Sequence, residues 1–401
     1  MQLFATAAKG TEPAVRDELR ELRFRGVRAD RGGVHFSGTV EEGFRACVEL
    51  RTAVRVLGEL GSFAAPDGDA LYEGVAAIDW SPYLDPSRTL AVRAACRSSA
   101  LTHTQFIAQK TKDAVVDQQR RRHGARPSVH LEDPDVAIFV HLVRDQATVY
   151  VDFGGASLHR RGYRAEAVAA PLKETLAAAL LRLSGWDRAR PLLDPMCGSG
   201  TIAVEAALWA RNIAPGLLAG GDAKDARGRT RAAPARLFGF ERWSSHDEAA
   251  AKQLDALRES ARARVKPAGP PILASDVDAA AVAITRVNAQ AAGVAVDVRK
   301  ARVQDLQPAD PPGHVLTNPP YGERIEGSSE LYRDMARAFR RLPGHRVAIL
   351  SGTPDVERAM QKSAPEPQPR VAGSLVVFNG PIECRLLTYD IPCEGGRAGS
   401  A

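Results

Sequence analysis

Residues 192–207 read LLDPMCGSGTIAVEAA: a short apolar run, an acidic residue, a turn holding Gly198 and Gly200, then a stretch of helix formers. Strand, glycine turn and helix form the opening unit of an open α/β sheet, where ligands collect at the carboxyl ends of the strands. Asp194 ends the strand, where its carboxylate can accept hydrogen bonds from a ligand amine or hold the turn. Glycine at 198 and 200 permits positive φ and close approach of a ligand to the backbone. No lysine stands at the P-loop position and the spacing is not G-x-G-x-x-G, so neither a nucleoside triphosphate nor a dinucleotide is supported. Taken alone, GSG is also a common structural turn.

From Arg190 onward, strand and helix patterns alternate. RPLLD, PILASD, VAVDVRK, HVLTNPP and RVAILS read as strands, and IAVEAALWA, AAAVAITRVNAQAA and ELYRDMARAFRRL as helices, which predicts a parallel sheet covered on both faces. SLVVFNGPIECRLLTYDI then gives two strands joined at Asn379-Gly380, a hairpin signal that makes the last strand antiparallel. PILASD ends in Asp276, placed to accept from the paired hydroxyls of a ribose; Asp305, after the third strand, is placed to accept from an adenine amino group. One acidic residue per strand end is a nucleoside-binding pattern. Asp278 reads better as the N-cap of the following helix than as a ligand contact.

HVLTNPPYGER (residues 314–324) carries the most specific chemistry. Two successive prolines force a rigid, extended backbone. In Asn318-Pro319-Pro320-Tyr321 that geometry can aim the Asn318 side-chain oxygen and the Pro319 carbonyl at one planar amine, while the Tyr321 ring offers a stacking face. An aromatic amine is a poor nucleophile because its lone pair is delocalised. Two acceptors that draw its hydrogens out of plane localise the pair and point it at a sulfonium methyl, with no metal and no covalent intermediate required. Glu323 and Arg324 follow, as backbone contacts or as an ion pair fixing the loop.

Before residue 165 the pattern is short strands alternating with helices, and no catalytic constellation is found there. FATAA, a helix opened by Thr11 and two strands around GVRADRGGVHFSG make one unit. A second runs from VRVLGELGSF through the helix TQFIAQKTKDAVVDQQRRR to AIFVHLV and ATVYVDF, joined by a tight hairpin at Arg144-Asp145-Gln146. The predicted organisation is 1–55 and 56–155 as two amino-terminal units, 156–170 as a basic linker, 171–392 as the α/β domain with an insertion at 211–268, and 393–401 as a disordered tail. Pro171 in a first helical turn and Gly185 after the helix support the start of the third unit.

The chain has 401 residues, 44% apolar and 25% charged, with no apolar run near the eighteen or more needed to span a bilayer. The amino terminus has no export-signal pattern, so the expected location is cytoplasmic. Five scattered cysteines show no metal-ligand spacing, which argues against zinc and disulfides. A net charge of +6, mostly from arginine, suits a phosphate-rich partner. Arg160, Arg161 and Arg164 in the linker are the candidate RNA contacts; Arg120, Arg121, Arg122 and Arg126, at a helix end, are also favoured there by the helix dipole.

DPMCGSGT, the Asp276 strand end, NPPYGER, PLKETLAAALL and LHRRGYR together resemble the bacterial ribosomal RNA large-subunit guanine-N2 methyltransferases that bear an amino-terminal THUMP domain. NIAPGL and FGFERW in the insertion are similar to that family too. The resemblance covers nearly the whole chain. It implies an α+β ferredoxin-like unit and THUMP RNA-binding module, followed by a seven-stranded Rossmann-like methyltransferase domain that uses S-adenosylmethionine on 23S ribosomal RNA. By the same resemblance Asp194, Cys197, Gly198, Ser199, Gly200 and Thr201 surround the cofactor, Asp276 its ribose and Asp305 its adenine, with Asn318 to Tyr321 on the target base. Some relatives fuse a second methyltransferase domain; this chain ends at 401, and that second activity is expected to be absent.

Asn-Pro-Pro-Tyr also serves DNA adenine and protein glutamine methyltransferases, but neither explains the amino-terminal half. A guanine-N2 methyltransferase acting on transfer RNA shares fold and loop; NIAPGL and LHRRGYR favour ribosomal RNA. The rival of another class is a non-catalytic RNA-binding assembly factor, against which the intact Asp194, Asp276, Asn318 and Tyr321 count.

Overall fold

The computed structural model describes residues 1–164, 172–218, 223–224, 230–231, 237–321, 328–362 and 368–393. Pro171, most of the linker's carboxyl end, Glu323, Arg324, the glycine-rich part of the insertion and the tail beyond 393 lie outside the described residues. The chain divides into two compact units, one of residues 1–7, 16–160 and 236–260, the other of 8–15, 161–235 and 261–401.

In the first unit the two expected amino-terminal modules share one eight-stranded sheet. Arg55–Ala64 joins them, pairing with Gln2–Thr6 on one side and Gln146–Asp152 on the other, both antiparallel. The expected boundary at 55/56 therefore falls at the start of a shared strand. The hairpin after Val143 turns on Arg144 (φ 52°) and Asp145 (φ 57°), with Gln146 already paired to Val143. Two left-handed residues are what a two-residue turn matching strand twist requires.

The aromatic part of the insertion belongs to this first unit rather than to the α/β domain. Phe240 stacks on Phe44 with ring centroids 4.0 Å apart, Trp243 meets Phe153 edge-on at 4.8 Å, and the Phe240 N–H donates to the Phe153 carbonyl. Burying these rings against the first unit's core is worth more than leaving them on a surface excursion.

The second unit carries the seven-stranded sheet. Numbering its strands along the chain, β1 is Leu192–Asp194, β2 Ile272–Asp276, β3 Asp297–Lys300, β4 His314–Thr317, β5 Arg346–Ser351, β6 Arg370–Asn379 and β7 Ile382–Asp390. Their order is β3-β2-β1-β4-β5-β7-β6. The first five run parallel, and β7 is antiparallel to both β5 and β6. Alternation packs both faces: Leu316, Ala348 and Leu350 join one core with Leu180 and Ile202, while Val315, Val347 and Ile349 join another with Met335 and Phe339.

Between β1 and β4 the strand order reverses, which opens a crevice above their carboxyl ends. The β6–β7 hairpin forms as expected, displaced by one residue: Asn379 pairs with Ile382, leaving Gly380 (φ 63°) and Pro381 as the turn. Helix Pro354–Gln361, between β5 and β6, is an addition to the expected elements; Thr353 caps it and Pro354 occupies its first turn.

Candidate active site

Asp194 ends β1 at 1% exposure, and its Oδ1 accepts from Thr317 Oγ1 at 3.0 Å. Burial pushes its carboxyl up to about 7, against the opposing hydrogen bonds from Thr317 and the Met196 backbone. The turn after it is tied to β2. The Cys197 N–H donates to the Ser275 carbonyl, and the Gly198 N–H to Asp276 Oδ2 at 2.9 Å. Asp276 Oδ1 takes the Asp278 N–H at 3.0 Å, so this carboxylate is fixed while keeping unused lone pairs. Asp278 caps the next helix through the Ala280 N–H, as expected from the sequence. Thr285 and Asn288 on that helix hold the turn from behind, donating to the Gly198 and Ser199 carbonyls. Burial and the Asp194 carboxylate push the Cys197 thiol up, so it stays protonated.

Asn318 follows β4 directly. Its Oδ1 is buried with no hydrogen-bond partner among the described residues, an acceptor held dry. Leaving it so is costly unless a donor arrives. Tyr332 donates to the Pro320 carbonyl at 2.9 Å and pins the loop from the following helix.

Asp194, Cys197, Gly198, Ser199, Thr201, Asp276, Asn318, Pro319, Pro320 and Tyr321 line one cavity of about 950 Å³. A cavity of that size lies at the upper end of the range for small-molecule and cofactor sites. Two expected residues stand elsewhere. Gly200 (φ 78°) backs onto Thr285, where a Cβ would come within 2.5 Å of Cγ2, so it shapes the turn rather than lining the cavity. Asp305 is exposed at the end of the 3₁₀ turn Val303–Asp305; Arg302, Val303 and Gln304 reach the cavity instead. Residues missed from the sequence include Leu172, Thr317, Asn379 and Ile382. For Asn379 and Ile382 the hairpin signal was present, but nothing in it points towards a cavity.

Two of the three linker arginines, Arg161 and Arg164, are a correction. Arg161 is 2% exposed and pairs with buried Glu205 at 3.4 Å, while Tyr163 donates to the same carboxylate. Arg164 pairs with Glu174 at 3.3 Å and donates to the Leu172 carbonyl and Thr201 Oγ1. Both are committed to carboxylates inside the domain, because a buried cation needs a partner. Arg160 is exposed.

Residues 161–381 match the family model described as the RMKL-like methyltransferase domain, 65–152 the THUMP domain, and 2–57 the RlmL ferredoxin-like domain. A Methylococcus capsulatus protein named ribosomal RNA large subunit methyltransferase K/L is 42% identical over 402 residues, covering 98% of this chain and 51% of that protein. The chain spans about half the length of the curated relatives it matches. SMU.472, described as a putative methyltransferase and solved complexed with SAH, superposes with a TM-score of 0.82 at 30% identity, covering 99% of both chains. A structure titled a predicted N6-adenine-specific DNA methylase, from Listeria monocytogenes, gives 0.82 at 31% identity, covering 98% of this chain and 96% of that one. With more than half of its residues matched by one family model, on a sheet of order β3-β2-β1-β4-β5-β7-β6, this chain belongs to the RMKL-like methyltransferase domain family.

Proposed function

We propose that this chain transfers a methyl group from S-adenosylmethionine to the exocyclic N2 amine of a guanine in large-subunit 23S ribosomal RNA. The observation that carries the reading is the buried Asn318 Oδ1, without a hydrogen-bond partner among the described residues, on a residue that lines one cavity with the strand-end carboxylates Asp194 and Asp276. The donor set fits the cofactor: Asp276 keeps lone pairs for ribose hydroxyls, and Asp194, Cys197 and the glycine turn leave a buried acidic wall for a cation. Bound there, S-adenosylmethionine supplies an electrophilic methyl group on a sulfonium.

The rest is done by the chain. Asn318 Oδ1 and the Pro319 carbonyl accept the two amine hydrogens, which concentrates the nitrogen lone pair on one side. Tyr321 offers its ring to a base that has left its stack, and so offsets part of the unstacking cost. The transferred methyl leaves the amine with one proton to lose; the buried acceptors hold that hydrogen until solvent or a neighbouring acceptor takes it.

Ribosomal RNA is favoured as substrate because the K/L relatives carry that name over 98% of this chain. The THUMP match and the net charge of +6 support an RNA partner. Among the described residues no helix is long and apolar enough to cross a membrane, and the proposed site of action is the cytoplasm.

The test is to incubate the protein and S-adenosylmethionine with ribosomal and transfer RNA from cells lacking the enzyme, then digest each RNA for mass spectrometry. N2-methylguanosine in the large ribosomal RNA, lost with Asn318→Ala, is the expected result. The same nucleoside in transfer RNA alone overturns the substrate, and no methylated nucleoside in either overturns the reaction.

A further inference from the structure

Tyr321 presents a useful stacking face only if its ring is held. Two prolines stiffen the backbone that leads to it, but they leave the side chain free to turn about χ1 and χ2. The structure supplies three restraints. Gly352, just after β5, lies so close that a Cβ there would stand 2.5 Å from the ring. At the ring's tip, Asn379 Nδ2 donates to the Tyr321 hydroxyl at 2.8 Å, and the Cys384 thiol approaches it at 3.6 Å.

Asn379 ends β6, and β6 is separated from β4, which delivers Asn318, by β5 and β7. A strand that far away has no covalent or ladder relation to the catalytic loop. Yet Asn379 and its hairpin partner Ile382 line the same cavity as Asn318 and Tyr321. The carboxylates Asp194 and Asp276 come from β1 and β2, on the other side of β4. The hairpin tip therefore sits towards the base end of the cavity, away from the cofactor carboxylates.

We infer that Asn379 is a positioning residue for the target base, acting through the Tyr321 hydroxyl to fix the orientation of the stacking ring. This rests on the methyl-transfer reading above. Losing the Asn379 donor removes one hydrogen bond from the ring's tip, and a single such bond in a half-buried site corresponds to about a tenfold effect. That loss should fall on methyl transfer and leave cofactor affinity alone.

The experiment uses the full chain with Asn379→Ala, Tyr321→Phe and the double variant. Expected are about tenfold lower kcat/KM for ribosomal RNA in each single variant, no further loss in the double, and an unchanged Kd for S-adenosylmethionine, which also shows that each variant is folded. Effects that multiply in the double variant, or a weakened cofactor Kd, overturn the inference. A readout independent of turnover is the fluorine NMR resonance of 3-fluorotyrosine placed at 321. Asn379→Ala should shift or broaden it, and an unmoved resonance overturns the tether. If the wild type methylates no RNA, the methyl-transfer reading falls and the role at the base with it, while the resonance still decides separately whether residue 379 holds the ring.

Discussion

Thr317 Oγ1 donates to Asp194 Oδ1 at 3.0 Å, joining the carboxyl ends of two neighbouring parallel strands one residue before Asn318. The bond links the acidic wall of the cavity to the loop that carries the buried acceptor. Displacement of either strand end is therefore felt by both halves of the site.

Asp194 should make cofactor binding pH-dependent. Its native carboxyl titrates near 7, because burial disfavours the charge, against an ordinary value of 3.8. Only the ionised form attracts a cation, so S-adenosylmethionine affinity should rise between about pH 6 and 8, several-fold in the unliganded protein's titration range. Calorimetry across that window, with Asp194→Asn giving a flat and weaker profile, checks this.

The same group has the opposite effect on the stability of the unliganded protein. Between 3.8 and about 7 the native state keeps a proton that the unfolded chain has released, so this contribution falls as pH rises and is lost through the native pKa. Urea denaturation at pH 5 and pH 8 should show a smaller difference in Asp194→Asn than in the wild type. An equal difference would place the titration elsewhere.

Asn318→Ala should lower methyl transfer by about a hundredfold or more, the scale for removing one preorganised polar group from a dry site. Cofactor Kd should stay within about twofold, since a change below 0.4 kcal/mol is expected for a group that touches only the base. Single-turnover transfer and equilibrium binding, measured on the same preparation, separate the two.

Gly352→Ala tests the ring from its other side. A Cβ would stand 2.5 Å from the Tyr321 ring, so the ring must move. Transfer should fall by about tenfold or more for a displacement near 1 Å, and the cofactor Kd should not change. Wild-type activity in this variant would mean that Tyr321 does not need its present position.

Arg161→Ala should act on stability. It strips the charged partner from Glu205, which is 1% exposed and keeps the Tyr163 hydroxyl, at a cost on the order of 3–5 kcal/mol. The salt dependence of RNA binding should keep the wild-type slope in Arg161→Met, which a phosphate contact would have altered by about one unit.

Much of the catalytic domain was legible because its signals are local. A strand followed by a glycine turn, an acidic residue at a strand end and two prolines after an asparagine each restrict backbone geometry over a few residues. Asp194, Asp276 and Asn318 all line one cavity. The helix Pro354–Gln361 is legible too, from Thr353 and Pro354, although its eight residues stand between two stronger strand patterns.

Other features depended on distant partners. LHRRGYR looks like a phosphate-binding stretch, and only the burial of Glu205 and Glu174 turns Arg161 and Arg164 inward. FGFERW looked like part of an insertion in the catalytic sheet, until Phe44 and Phe153 offered its rings a core in the first unit. Asp305 has the right spacing after β3, yet the 3₁₀ turn exposes it and presents Arg302 to Gln304.

By itself the sequence determined the alternation of elements, the glycine turn at Gly198 and Gly200, and the asparagine loop at the end of β4, because sterics and hydrogen-bonding chemistry within a few residues dictate them. Only the tertiary structure decided which charges are buried in pairs, which face of a turn meets the cavity, and that Asn379 from the far edge of the sheet reaches Tyr321. Those depend on contacts between residues tens of positions apart, where burial and desolvation choose among arrangements that local chemistry leaves equal.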